Sequence, residues 1–394
     1  VPPIDNQEVA AVAHTVGASR RVPELDGLRG IAILSVIVFH YTAGEGPLAP
    51  RSVAHYVQRA LMMGWIGVDL FFVLSGFLIG GILLDVRESK NYFKTFYLRR
   101  AFRIFPIYYL WITLYVVLVL VAGHWVQEHS FSNRPITLDW NVYAHYLFLQ
   151  NIVPLTLAGI AGGWFGPLWS LAIEEQFYLF APMIVRFISS RRRLAAWLIA
   201  LISIAPLLRV AVLAALPKQI MAASFLMPCR ADSLALGMLL ALGWRRPSLR
   251  RWFESNTRTL YLALVPLSVG LAALWYWAPS SIDYPTQSFG YTWIAIFCAV
   301  LLVLAISAPQ GPLARVTRIA WLREVGRVSY CMYIVHLTVA LALHAILLHS
   351  IPRTSNWPAV GVTLLSIVAT YAVAWVSWKL LEGPVLRKGH EFKY

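Results

Sequence analysis

A chain of 394 residues that is 59% hydrophobic and 13% charged, with mean hydropathy +0.65, has too few charges to dress a water-soluble surface and too much apolar residue to stay disordered, which excludes both classes. Its formal net charge of +15 would suit nucleic acid, but the bases fall in short clusters between apolar runs of roughly 20 residues, as in the cytosolic loops of a polytopic membrane protein, so no nucleic-acid partner is expected. Cys229, Cys298 and Cys331 lie inside apolar runs, are odd in number and lack ligand spacing, so neither a disulfide framework nor a metal site is expected.

The expected fold is all-α: a polytopic membrane helix bundle of about ten transmembrane helices with both termini cytosolic. Residues 1–20 lack an apolar signal core and read as a flexible cytosolic tail, 21–385 as one membrane domain, and 386–394 as a second cytosolic tail. Crossings are predicted near 28–43, 61–84, 104–122, 167–185, 194–216, 224–243, 259–278, 290–308, 328–349 and 358–381. The apolar stretch 141–160 is interrupted by Asn151 and Pro154 and runs into a Gly-rich segment, so it is expected to be re-entrant or interfacial rather than a crossing. That choice keeps the basic stretches 20–29, 85–103, 186–193, 244–258, 309–327 and 379–394 on the cytosolic side. Only Arg51, Arg59, Arg134, Lys218 and Arg353 fall outside, and Arg209 and Arg230 fall within crossings.

The first crossing carries Arg29 near its start and His40 near its end. Eleven helical steps make three turns plus about 20°, which puts both side chains on one face about 16 Å apart along the axis. Ionisable groups are costly in hydrocarbon and normally face a protein interior or a wet cavity, so this stripe is a candidate site; its bland reading is a snorkelling anchor and an interfacial histidine. The next crossing combines Asp69, Phe71, Phe72, Ser75, Gly76 and Gly80: a buried acid, an aromatic pair, a hydroxyl and a small-xxx-small step for close helix packing. Six bases, Arg87, Lys90, Lys94, Arg99, Arg100 and Arg103, then run into the crossing that begins Ile104-Phe-Pro106. Such a mouth suits the phosphates of a nucleotide-like donor and equally attracts anionic lipid, with Arg103 the deepest of the six.

Trp169-Ser-Leu-Ala-Ile-Glu174-Glu175-Gln176-Phe-Tyr178 puts two adjacent carboxyls in a crossing, where neighbouring helix positions point about 100° apart and one alone is expected to line a given stripe. A carboxylate there can orient a histidine that takes a proton. Arg230-Ala-Asp232 lies in another crossing and is poorly spaced for an internal pair; an ion pair with other helices is as good a reading as chemistry.

In this order the motifs resemble those of the membrane acyltransferase family 3, the integral O-acyltransferases: Leu25-Asp-Gly-Leu-Arg29 with His40, Phe71-Phe-Val-Leu-Ser75-Gly76, Arg99-Arg100-Ala-Phe-Arg103-Ile-Phe-Pro106, Trp169-Ser-Leu with Glu174, Gly326-Arg-Val-Ser329-Tyr330 with Tyr333 and His336, and Glu382-Gly-Pro384. The resemblance runs from about Arg21 to Pro384 and implies a ten-helix fold, an acyl-CoA donor reached from the cytosol, and a saccharide or glycoside hydroxyl as acceptor. Some relatives carry an esterase-like domain after the membrane part; none follows here before Tyr394, so the membrane domain is expected to recognise the acceptor.

Joined with the residue reading, this gives His40 as general base with Glu174 orienting it or stabilising its cation, and Arg29, Arg103, Arg99, Arg100, Ser75 and Gly76 as donor-binding residues. Asp69, Trp169, Glu175, Arg230, Asp232, Tyr330 and His336 are expected in support, with acetyl-CoA the expected co-substrate and no metal. The expected setting is the bacterial cytoplasmic membrane, with homo-oligomer formation left open. The rival reading is a proton-coupled transporter, which would also place Glu174, Asp69, Arg230 and His40 inside the bundle.

Overall fold

The computed structural model describes residues 22–42, 52–128, 138, 140–152, 162–219, 221–354 and 356–394; the expected tail 1–20 lies outside them. All regular structure among the described residues is helical. In chain order it comprises α1 Pro23–Thr42, α2 Val53–Met62, α3 Gly67–Asp85, α4 Tyr92–Glu128, α5 Trp140–Tyr146, α6 Trp169–Phe187, α7 Arg191–Ala215 and α8 Met227–Trp244. It continues with α9 Pro247–Ser255, α10 Thr257–Trp277, α11 Tyr291–Ser307, α12 Pro312–Thr317, α13 Ala320–Arg327, α14 Ser329–Leu348, α15 Trp357–Ser377 and α16 Gly383–Glu391. Single helical turns at Gly162–Phe165 and Ala222–Phe225 precede α6 and α8, and π turns at Thr286–Gly290 and Trp378–Glu382 adjoin α11 and α16.

Nine helical stretches among the described residues are long and apolar enough to cross a membrane: 23–42, 55–85, 92–123, 191–215, 222–244, 257–277, 286–307, 329–348 and 357–391. Helix α6 has the length but carries Glu174, Glu175 and Arg186 within its 19 residues; with it the bundle has the expected ten long elements. In the 55–85 stretch 72% of the apolar window is buried, against 11% in 257–277, so α3 lies at the centre and α10 at the rim. The exposed Leu262, Val265 and Val269 of α10 therefore form an outward face suited to lipid rather than water.

Central packing depends on backbones in direct contact. A Cβ on Gly76 would overlap the Leu234 carbonyl of α8, and one on Gly237 would overlap the Val73 carbonyl of α3, so the two helices cross with glycine on each side. Gly76, expected at the donor site, faces α8, about 100° away from Ser75 on the helix. Gly27 and Gly326 do the same for the start of α1 against α12 and α13, where Thr317 and Asp26 supply the facing carbonyls. That contact presses the Leu-Asp-Gly-Leu-Arg-Gly start of α1 into the fold, and Arg318 ties it further through Glu24 at 2.5 Å.

Two segments bear on the sequence reading. Within the expected re-entrant stretch, α5 spans seven residues and the chain then turns at Phe148, which takes φ 54° and stacks on Tyr108 at 4.4 Å. Gln150 donates to the Leu168 carbonyl at 2.8 Å, and Asn151 and Gln176 exchange amide hydrogen bonds at 3.2 and 2.8 Å. These bonds tie the stretch back to the foot of α6 with no crossing helix among the described residues, whereas 153–161 lie outside them.

The second is the expected tail 386–394, which is instead α16 and a docked end. Arg99 donates to the Phe392 carbonyl from Nε at 2.9 Å and Nη2 at 2.6 Å, and its guanidinium lies 4.8 Å from the centre of the Tyr394 ring. Thr95 donates to the Lys393 carbonyl at 2.9 Å. The tail is held because these backbone acceptors meet α4 donors that would otherwise be left to water.

Candidate active site

Between α1, α3, α4, α6 and α14 lies a cavity of about 110 Å³. At roughly 10–15 Å³ per water this is room for several waters or a small group rather than one structural water. Helix α3 presents Val68, Phe71, Phe72, Ser75, Leu78 and Ile79 to it, a run at helical spacing along one face. Into this apolar wall project Arg29 of α1, Arg100 and Arg103 of α4, and Glu174, Glu175 and Tyr178 of α6. Ser329, Tyr330 and Tyr333 of α14 close it.

The arginine run divides by helical geometry. Arg103 lies between Arg99 and Arg100 in projection, and those two are about 100° apart. Arg100 and Arg103 line the cavity, while Arg99, expected at the donor, turns to the C-terminal segment. Arg29 keeps a 3.4 Å contact with Asp26, one turn back. It shares the lining with Arg100, Arg103, Glu174 and Glu175, so three cations and two carboxyls face one space. Both carboxyls line the space, contrary to the expectation of one, because the α6 face exposed to it, from Ser170 and Leu171 to Tyr178, is broad enough to include adjacent positions.

Tyr178, which the sequence reading left unassigned, is the polar link inside the cavity. One helical turn beyond Glu174, it donates to Glu174 Oε2 at 3.2 Å and makes a short hydrogen bond with Ser75 Oγ of α3. The i,i+4 spacing on α6 was the available signal. Tyr330 donates to the Ile104 carbonyl at 3.0 Å, and Tyr333 donates to the Pro167 carbonyl at 2.9 Å and lies 2.6 Å from Ser170 Oγ. Trp169 stands outside the lining and stacks on Phe225 at 4.6 Å.

His40 lies one helical turn of α14 beyond the cavity. Tyr333 is the last α14 residue of the lining, and His336, three positions on, places Nε2 at 3.1 Å from His40 Nδ1. Glu174 bonds Tyr178, and the side-chain contact to His40 Nδ1 comes from His336.

Asp69, Arg230 and Asp232 belong to a separate buried network. Arg230 donates to Asp69 at 2.9 Å, and Arg209 of α7 donates to Asp232 at 2.9 Å. Thr292 donates to Asp232 at 2.5 Å, and Arg209 also donates to the Cys229 and Ser288 carbonyls at 2.6 and 3.0 Å. This is the interhelix pairing that the Arg230-Ala-Asp232 spacing allowed, with Arg209 the partner the sequence reading did not supply. Cys229, Cys298 and Cys331 are buried and unpaired in α8, α11 and α14.

Residues 22–379 match the family model described as an acyltransferase domain. The chain belongs to that acyltransferase family. It is 29% identical over 392 residues to YrhL of Bacillus subtilis (strain 168), covering 95% of this chain and 56% of that protein. It is 27% identical over 390 residues to the peptidoglycan O-acetyltransferase OatA of Listeria monocytogenes, covering 95% and 58%. With the O-acetyltransferase OatA of Staphylococcus aureus (strain NCTC 8325 / PS 47) it shares 26% over 383 residues, covering 94% and 58%. The acyltransferase chain thus spans between half and two thirds of the length of these relatives, and no solved structure matches it.

Proposed function

We propose that this acyltransferase is an integral-membrane O-acetyltransferase of the bacterial cytoplasmic membrane, moving an acetyl group from acetyl-CoA to a saccharide hydroxyl of the peptidoglycan type. The observation that carries the reading is the cavity itself: three guanidinium groups, from Arg29, Arg100 and Arg103, share an apolar-walled space that ends one helical turn from His336 and His40. Arginine forks match phosphate oxygens in charge and geometry, and the apolar α3 wall suits the thinner part of such a donor. Ser75, Tyr178 and Glu174 give that wall a hydrogen-bonded polar strip.

His40 is the general base of this scheme. It takes the proton of the acceptor hydroxyl as the oxygen bonds to the thioester carbonyl carbon; the carbon–sulfur bond then breaks, and the proton passes to the leaving thiolate. The Arg29–His40 spacing fits a donor whose charged end and reacting end lie about 16 Å apart on α1. A transporter reading would draw on free intramembrane charge, yet Asp69 and Arg230, two of the four groups it invokes, are paired with each other.

The test is direct. Purified protein in liposomes, given acetyl-CoA labelled in the acetyl group and soluble peptidoglycan disaccharides, is expected to release CoA in step with labelled O-acetyl sugar. Release of neither CoA nor labelled ester, with the donor shown to bind, would refute the assignment.

A further inference from the structure

The contacts of His336 have a direction. Its Nδ1 lies 2.8 Å from the Tyr333 carbonyl and 3.2 Å from the Met332 carbonyl, on its own helix. Carbonyl oxygens only accept, so Nδ1 of His336 carries the proton and its Nε2, in the neutral ring, carries the lone pair. That Nε2 is 3.1 Å from His40 Nδ1, which is also 3.0 Å from the Val36 carbonyl. Both neighbours of His40 Nδ1 are acceptors. The proton of neutral His40 therefore sits on Nδ1, and its Nε2 is left free to accept.

The support behind this relay is buried. His336 is 0% exposed, and Tyr41, beside His40 on α1, donates to the His336 carbonyl at 2.9 Å while lying 3.2 Å from Thr370 of α15. Helices α1 and α15 thereby tie the backbone at His336, while its ring is held by the Met332 and Tyr333 carbonyls of its own helix. The Val36 carbonyl is a second acceptor for the Nδ1 proton within α1, whereas His336 reaches His40 from α14 and restrains its rotation about Cα–Cβ; once that restraint is gone, the Val36 contact alone does not fix the ring.

We infer that His336 is a positioning residue: through Nε2 it accepts the Nδ1 proton of His40, holds the tautomer whose Nε2 is free, and stabilises the imidazolium formed when His40 takes a proton. This rests on His40 as the general base. No proton leaves His336 in the step, and the relay ends at the Tyr333 carbonyl.

Two readouts on the full chain in nanodiscs test it. With 15N-labelled histidine, and with the His40 signal assigned by loss in His40→Gln, the wild-type ring is expected to be protonated at Nδ1. His336→Leu should show a mixture of tautomers, and His336→Gln, whose amide oxygen can accept from Nδ1, should restore the wild-type signal. In turnover, His336→Leu should lose about 10- to 100-fold in kcat with unchanged donor Kd, and His336→Gln should recover most of it. A wild-type His40 protonated at Nε2, or one with the same tautomer in wild type and His336→Leu, overturns the inference. Equal losses in the Leu and Gln variants do so as well, since they would mark a packing role. The NMR outcome stands whether or not the wild type transfers acetyl, which separates failure here from failure of the proposed activity.

Discussion

Removing one partner of the Asp69–Arg230 pair tests whether these charges hold the bundle together or enter the chemistry. The two groups meet at 2.9 Å with side-chain exposures of 0% and 1%, so bulk solvent does not screen them. Ser233 adds a 3.2 Å hydrogen bond to Asp69, and the Arg230 guanidinium carbon lies 3.6 Å from the centre of the Tyr291 ring. Arg230→Met leaves a buried carboxylate with one neutral donor, a loss of about 3–5 kcal/mol. Asp69→Leu combined with Arg230→Met removes both charges at similar volume and should return to within about 1–2 kcal/mol of wild type, since apolar replacements of buried pairs are often neutral. The coupling between the two sites should then be at least ~2 kcal/mol. Unfolding free energies by steric trapping in micelles measure all four corners of the cycle, alongside acetyl transfer by each folded variant. A single-variant cost below ~1 kcal/mol would refute the structural reading. So would a double variant of wild-type stability that binds donor yet transfers nothing, because it would place the pair in the reaction.

His40→Ala is expected to cut turnover by at least about 100-fold, the usual contribution of a positioned general base, while isothermal calorimetry shows unchanged donor affinity. Turnover within tenfold of wild type would remove His40 from the mechanism. Arg103→Ala should weaken acetyl-CoA binding about tenfold, in line with loss of a charge-assisted contact. Arg99→Ala should leave that affinity alone and instead expose the chain beyond Phe392 to carboxypeptidase; equal affinity losses would contradict the split of the arginine run. For topology, Ser190→Cys should resist an impermeant maleimide in intact cells, whereas Lys218→Cys and Arg353→Cys should react, each in a background lacking Cys229, Cys298 and Cys331. Labelling at 190 from outside would reverse α6 and the cavity mouth.

Helix number and the candidate side chains that line the cavity were legible because lipid imposes simple one-dimensional rules. Apolar runs must be about 20 residues long, and each buried charge stands out against its run. Arg29, Arg103 and Glu174 follow from those rules, and the structure brings all three to one cavity. Asp69 and Arg230 were equally conspicuous, and equally charged residues at equal depth read alike in sequence whether they serve a cavity or pair with each other.

Partnership between distant helices is what the chain alone left open. Whether Arg99 faces a donor or a carbonyl 293 residues away depends on where α16 docks. Gly76 could as well have lined the cavity as packed on Leu234, since a glycine carries no side chain to declare its neighbour. The adjacent carboxyls Glu174 and Glu175 share the site because of the shape of the space around α6, a property of several helices together. His40 shows the division most plainly. Local periodicity placed it three turns from Arg29 on one face, but its partner lies 296 residues on. A hydrogen bond spanning that separation is set by how α1 and α14 cross, and local periodicity carries no information on that crossing.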